Sequence, residues 1–96
     1  MGVDALLHEK RNEIYKIAKK HGVNNIRVFG SAARGESRAD SDIDFLIEVG
    51  GTTSPWFPGG LVAELEELLG RHVDVVEPDA IKESLRKSVL DGAVAL

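Results

Sequence analysis

A short β-prone run, Ile26-Arg27-Val28-Phe29, is cut off by Gly30-Ser31, and ten residues further on Asp42-Ile43-Asp44 opens a second hydrophobic run. Gly-Ser ends a strand and turns the chain, and the two acids then stand at the mouth of the next strand. Period-two geometry puts the Asp42 and Asp44 carboxylates on one face of that strand and Ile43 on the other. A chain with this pattern has to fold so that a strand end and a pair of acids stay together while the apolar side of the same strand is buried.

The rest of the sequence supplies the cover. Val3, Leu6, Leu7, Ile14, Ile17 and Ala18 fall at helical spacing between about Asp4 and Lys20. Lys19, Lys20 and His21 suit the negative end of that helix, and Gly22 suits the position just past it. The first strand is expected at 26–29, a short helical turn and loop over 32–41, and the second strand over 43–49, centred on Phe45-Leu46-Ile47. Gly50 to Gly60 reads as a loop, and Phe57, Leu61, Leu65, Leu68 and Leu69 mark a helix that Gly70 ends. His72–Val76 is expected as a third, central strand. Pro78-Asp79 then opens a last helix, with Ile81, Leu85 and Val89 on one stripe and Gly92 beyond its end. The expected class is α/β (α+β): a small mixed sheet of three to four strands packed against helices, in one domain over residues 1–96. The possible fourth strand lies near the C-terminus.

Composition narrows the functions open to such a chain. Ninety-six residues allow one core, but not a core plus a deep, self-enclosed substrate chamber. With 43% apolar and 29% charged residues the chain reads as an ordinary globular protein. A net charge of −4 disfavours a nucleic-acid coat or a binder of anionic membranes. The absence of cysteine excludes disulfides, thiolate metal sites and a cysteine nucleophile. The longest apolar run is four residues, Ala93 to Leu96, too short for a membrane span or a signal-peptide core, so a cytoplasmic location is expected. Charge is unevenly spread: residues 1–38 hold eight basic and four acidic side chains, residues 39–96 four and twelve.

Two carboxylates side by side repel one another unless a cation sits between them. Mg²⁺ suits Asp42 and Asp44, because it takes oxygen ligands and completes its shell with water and phosphates. Gly30-Ser31 supplies unpaired backbone N–H groups and a hydroxyl where a strand turns into a helical start, a phosphate cradle. Arg34 and Arg38 lie within reach of phosphate oxygens. Asp74, flanked by valines in Val73-Asp74-Val75-Val76, becomes a third member if its strand neighbours the Asp42/Asp44 strand; it could then ligate metal and accept a proton. Asp-x-Asp alone is usually a solvated acidic edge and Gly-Ser alone a turn; their joint occurrence in this strand context points to a Mg²⁺-bound nucleoside triphosphate. Arg34 has a structural salt bridge as its alternative, and Asp40 reads as a turn residue. His8, His21 and His72 share no ligand spacing, and Glu64, Glu66 and Glu67 read as the wet face of a helix. Trp56-Phe57 fits either local packing or an exposed contact patch. Neither a Walker motif nor Gly-x-Gly-x-x-Gly is present.

The run Phe29-Gly-Ser-Ala-Ala-Arg-Gly35 with Ser41-Asp-Ile-Asp-Phe-Leu-Ile47 resembles the signature of the polymerase-β-like nucleotidyltransferase superfamily, in its minimal nucleotidyltransferase branch of MntA type. Leu65 to Val76 is similar to that branch's second half. The resemblance implies the nucleotidyltransferase fold, with Mg²⁺ (one or two ions) on Asp42 and Asp44. Asp74 matches the third acid, and Gly30 and Ser31 match the residues that hold the triphosphate of ATP. It further implies an antitoxin that neutralises a HEPN-type RNase toxin, in a hetero-oligomeric complex, by transferring AMP to a tyrosine hydroxyl. Two other readings stay open: a binding module that acts by docking alone, and a nucleotidyltransferase for small molecules of the aminoglycoside kind.

Overall fold

The computed structural model describes residues 5–36, 41–53 and 55–96. Its three strands are β1 (Val23–Phe29), β2 (Ile43–Val49) and β3 (Val73–Val76), in the order β1-β2-β3. β2 is therefore the centre: β1 runs antiparallel on one side, with Phe29 opposite Asp44, and β3 parallel on the other, with Asp74 beside Asp44. This corrects the expectation that the Asp74 strand is central. β3 is the edge of the sheet, and Asp74 is exposed on it.

Alternation along β2 explains why the sheet holds. Ile43, Phe45 and Ile47 are fully buried on one face, where they meet Ile26 and Val28 of β1 and Val73 of β3. The cluster is completed by Ile14 and Ala18 of α2 (Arg11–Lys20) and by Leu61, Leu65 and Leu69 of α3 (Gly59–Leu69). Burying each large apolar side chain contributes roughly 1.5–3 kcal/mol, enough to fix the register of β2 against a one-residue slip that would invert its faces.

The helices depart from expectation at three points. The single helix over 4–20 is divided into α1 (Ala5–Glu9) and α2, because Lys10 (φ −96°, ψ 8°) leaves helical geometry where the Arg11 guanidinium donates to the His8 carbonyl at 2.7 Å. Pro78–Ala80 forms only a 3₁₀ turn, and α4 (Glu83–Gly92) begins after two extended residues, Ile81 and Lys82. Arg86 explains this break: its guanidinium reaches back to the Pro78 and Ile81 carbonyls at 2.9 and 3.1 Å, taking acceptors that a continuous helix would use. Gly92 ends α4 from inside, and Leu85 is exposed rather than part of a core stripe. The fourth strand is reduced to one antiparallel bridge, Val28 with Val94.

Two glutamates expected to face water are instead ties. Glu64 of α3 accepts from Lys20 at 2.8 Å and from His21, joining α3 to the end of α2. Gly60 allows this approach, since a Cβ there would lie 3.1 Å from the His21 ring. Glu66 accepts from the Val73 backbone N–H at 2.9 Å and so fixes the start of β3.

Candidate active site

β1 ends at Phe29 in extended geometry, and the chain then turns through Gly30 at φ +75° into a 3₁₀ turn, Gly30–Ala32. A side chain at Gly30 would suffer twice: the backbone is left-handed, and a Cβ would sit 2.8 Å from Asp44 Oδ2. Glycine thus brings the turn's backbone directly against the Asp44 carboxylate. The turn is closed behind by Ala33 N–H to the Gly30 carbonyl (3.2 Å) and by Glu36 N–H to the Ser31 carbonyl (2.9 Å). The leading N–H groups of such a turn have no partner within it and are available to an anion.

The acids arrive from the two neighbouring strands. Asp42 is exposed just ahead of β2, Asp44 is half-buried within it, and Asp74 is its register partner on β3. Burial raises the Asp44 carboxyl above its usual range, and the negative charges of Asp74 and then Asp42 raise it further. This donor set is all oxygen and, among the described residues, the charges that act on Asp44 are those of its fellow acids, which is the chemistry a hard divalent cation such as Mg²⁺ fits. Among the described residues no group of three or more His, Asp or Glu side chains is drawn together as a metal cage. Mg²⁺ does not require one, since it commonly uses one or two carboxylates with water and substrate phosphate.

Arg34, the expected phosphate contact, is exposed and held by Glu36 (Nε to Oε1, 2.7 Å). With Phe29 and Gly30 it forms one wall of a cavity of about 240 Å³, whose other wall is Ser88, Val89 and Gly92 of α4. Nothing in the helical pattern of residues 83–92 announced that role. Arg38 and Asp40 lie outside the described residues. The histidines take no part: His21 pairs with Glu64, His72 lies 3.5 Å from Glu66, and His8 touches the Leu96 carbonyl. Trp56 is 83% exposed while Phe57 packs against the core, so the pair divides between the two roles open to it.

Comparison with known proteins now bears on this geometry. Residues 11–96 match the nucleotidyltransferase domain family. A candidate protein adenylyltransferase of Methanocaldococcus jannaschii is 41% identical over 88 residues, covering 92% of this chain and 95% of the relative. The protein adenylyltransferase MntA of Thermococcus cleftensis is 35% identical over 88 residues, covering 92% and 86%. Among solved structures, a candidate minimal nucleotidyltransferase superposes with a TM-score of 0.82 at 38% identity, covering 94% of this chain and 92% of that one. A toxin–antitoxin structure with AMP-PNP superposes with a TM-score of 0.72 at 25% identity, covering 86% and 68%. Matched along most of its length by sequence and by fold, the chain belongs to the nucleotidyltransferase domain family.

Proposed function

We propose that the chain is a Mg²⁺-dependent protein adenylyltransferase that acts as an antitoxin, transferring AMP from ATP to a tyrosine hydroxyl of a partner HEPN-type RNase toxin. One observation carries the reading: the Gly30 backbone lies against the Asp44 carboxylate, and Asp44 lies beside Asp74, at the mouths of adjoining strands. Similarity to a protein adenylyltransferase and to a toxin–antitoxin structure with AMP-PNP supports the choice of nucleotide and partner. The reading places the chain in the cytoplasm, with ATP and the toxin.

In this mechanism Asp42 and Asp44, with Asp74 beside them, would hold Mg²⁺, which when bound offsets the charge on the triphosphate and the departing pyrophosphate. The Gly30 and Ser31 N–H groups and the Ser31 hydroxyl hold phosphate oxygens, and Arg34 adds positive charge from the rim. Asp74 accepts the proton of the acceptor hydroxyl. The hydroxyl oxygen then bonds to the α-phosphorus as the bond to pyrophosphate breaks, so AMP stays on the acceptor. The chain's contribution is chiefly alignment, which can supply roughly 7–11 kcal/mol of the barrier.

The test is intact mass measurement of the toxin after incubation with this chain and Mg-ATP. The reading expects the mass to rise by AMP units located on a tyrosine, and to stay unchanged with a D42A/D44A variant. Neutralisation of the toxin without any mass change would establish docking alone.

A further inference from the structure

Of the three carboxylates, Asp42 is the one the sheet does not hold. Asp44 and Asp74 are register partners inside the β2–β3 ladder, whereas Asp42 precedes β2 and is exposed. Its backbone is anchored from one short stretch, 71–73, at the entry to β3. Ile43 N–H, on its C-terminal side, donates to the His72 carbonyl at 2.9 Å. On its N-terminal side, the Arg71 guanidinium Nε donates to the Ser41 carbonyl at 3.1 Å. The stretch is itself fixed to α3, since Glu66 accepts from Val73 N–H at 2.9 Å. Arg71 is half-buried, so its fork is held by surroundings rather than waving in solvent.

We infer that Arg71 is a positioning residue for the metal-holding acids: by pinning the Ser41 carbonyl it sets the approach of Asp42 to Asp44 and Asp74, and so tunes affinity for the divalent cation. The inference rests on the proposed function, because it assigns Arg71 a part in the metal site of that reading. Arg71 touches neither nucleotide nor acceptor in this role. Residues that orient ligands from behind typically change metal affinity by about 10–100-fold when removed. A positive charge near the acids would by itself oppose metal binding, so a loss of affinity on removing it can only come through positioning. Lysine presents a point charge on a flexible stem in place of the rigid fork, and should substitute incompletely.

The experiment measures Mn²⁺ binding to the full chain by electron paramagnetic resonance, for wild type, R71Q and R71K, with melting curves on the same samples. The expected result is Mn²⁺ affinity about 10-fold weaker in R71Q and roughly threefold weaker in R71K. In AMP transfer, the Mg²⁺ concentration for half-maximal rate should rise by the same factors while kcat at saturating Mg²⁺ stays near wild type. Binding by R71Q within twofold of wild type, or tighter, overturns the inference; R71K decides in the same way if R71Q does not fold. A wild-type chain that binds no Mn²⁺ overturns this inference and the metal-dependent reading together, whereas wild-type binding unaltered by both variants overturns the Arg71 assignment alone.

Discussion

Two carboxylates in this chain are pushed in opposite directions, and the contrast sets the seam between two helices against the mouths of two strands. Glu64, at the seam between α2 and α3, is held below the usual carboxylate range, first by its hydrogen bond from Lys20 and then by that from His21. Asp44, at the strand mouths, is raised by burial and by its neighbours Asp74 and Asp42. Cations pair directly with the first, whereas the shift of the second comes from burial and from like charge. A carboxylate kept among its own kind is relieved by a proton or by a cation from outside, which is the property the proposed function uses at the strand mouths and which the seam lacks.

Removing the acids should have the largest effect. D42N/D44N should lower AMP transfer by on the order of 10³-fold or more while circular dichroism stays native, because neither carboxylate contributes core contacts. The opposite face of the same strand should behave inversely: Phe45→Ala, at a fully buried position, should cost about 3–5 kcal/mol in a urea melt through lost packing. Gly30→Ala tests the turn. The left-handed backbone and the contact with Asp44 should cost about 1–2 kcal/mol and depress transfer far more than that loss of stability explains.

Much of this was legible beforehand because it depends on local chemistry. Gly30, Asp42 and Asp44 are read from a strand, a turn and a period of two: Gly30 stands in the turn after β1, Asp44 within β2 and Asp42 just ahead of it. The bounds of β2 follow equally, since the apolar run centred on Phe45-Leu46-Ile47 marks a strand over 43–49, as observed. Pairing order is not local. Three valines around Asp74 suggested a central strand, yet valine also serves an edge whose one face is packed, and only the register with β2 shows which applies. Long side chains also escape periodicity: Arg86 ends one helical segment and starts another by taking carbonyls, and Arg71 reaches thirty residues back to Ser41. Glu64 and Glu66 read as solvated because their partners lie on other elements.

The two carboxylates also give the stability opposite dependences on pH. Asp44 binds its proton more tightly folded than unfolded, so its ionisation subtracts stability as pH rises from the unfolded value through the raised folded one, and the penalty is complete above that. D44N should therefore raise Tm at neutral pH and leave it unchanged in strong acid, in calorimetry. Glu64 runs the other way: its contribution is present above the ordinary carboxylate range and is lost as pH falls through its lowered folded value. E64Q should accordingly lower Tm slightly at neutral pH and leave it unchanged in strong acid.

The most direct measurement follows both carboxylates at once. Side-chain carboxyl carbons of Asp44 and Glu64, titrated by NMR with and without Mg²⁺, report where each group keeps its proton. The account predicts that Asp44 titrates above the usual range in the absence of Mg²⁺, moves well down when Mg²⁺ is added, and that Glu64 does not respond. An Asp44 titration that Mg²⁺ leaves in place, or that shifts no more than Glu64 does, would contradict it.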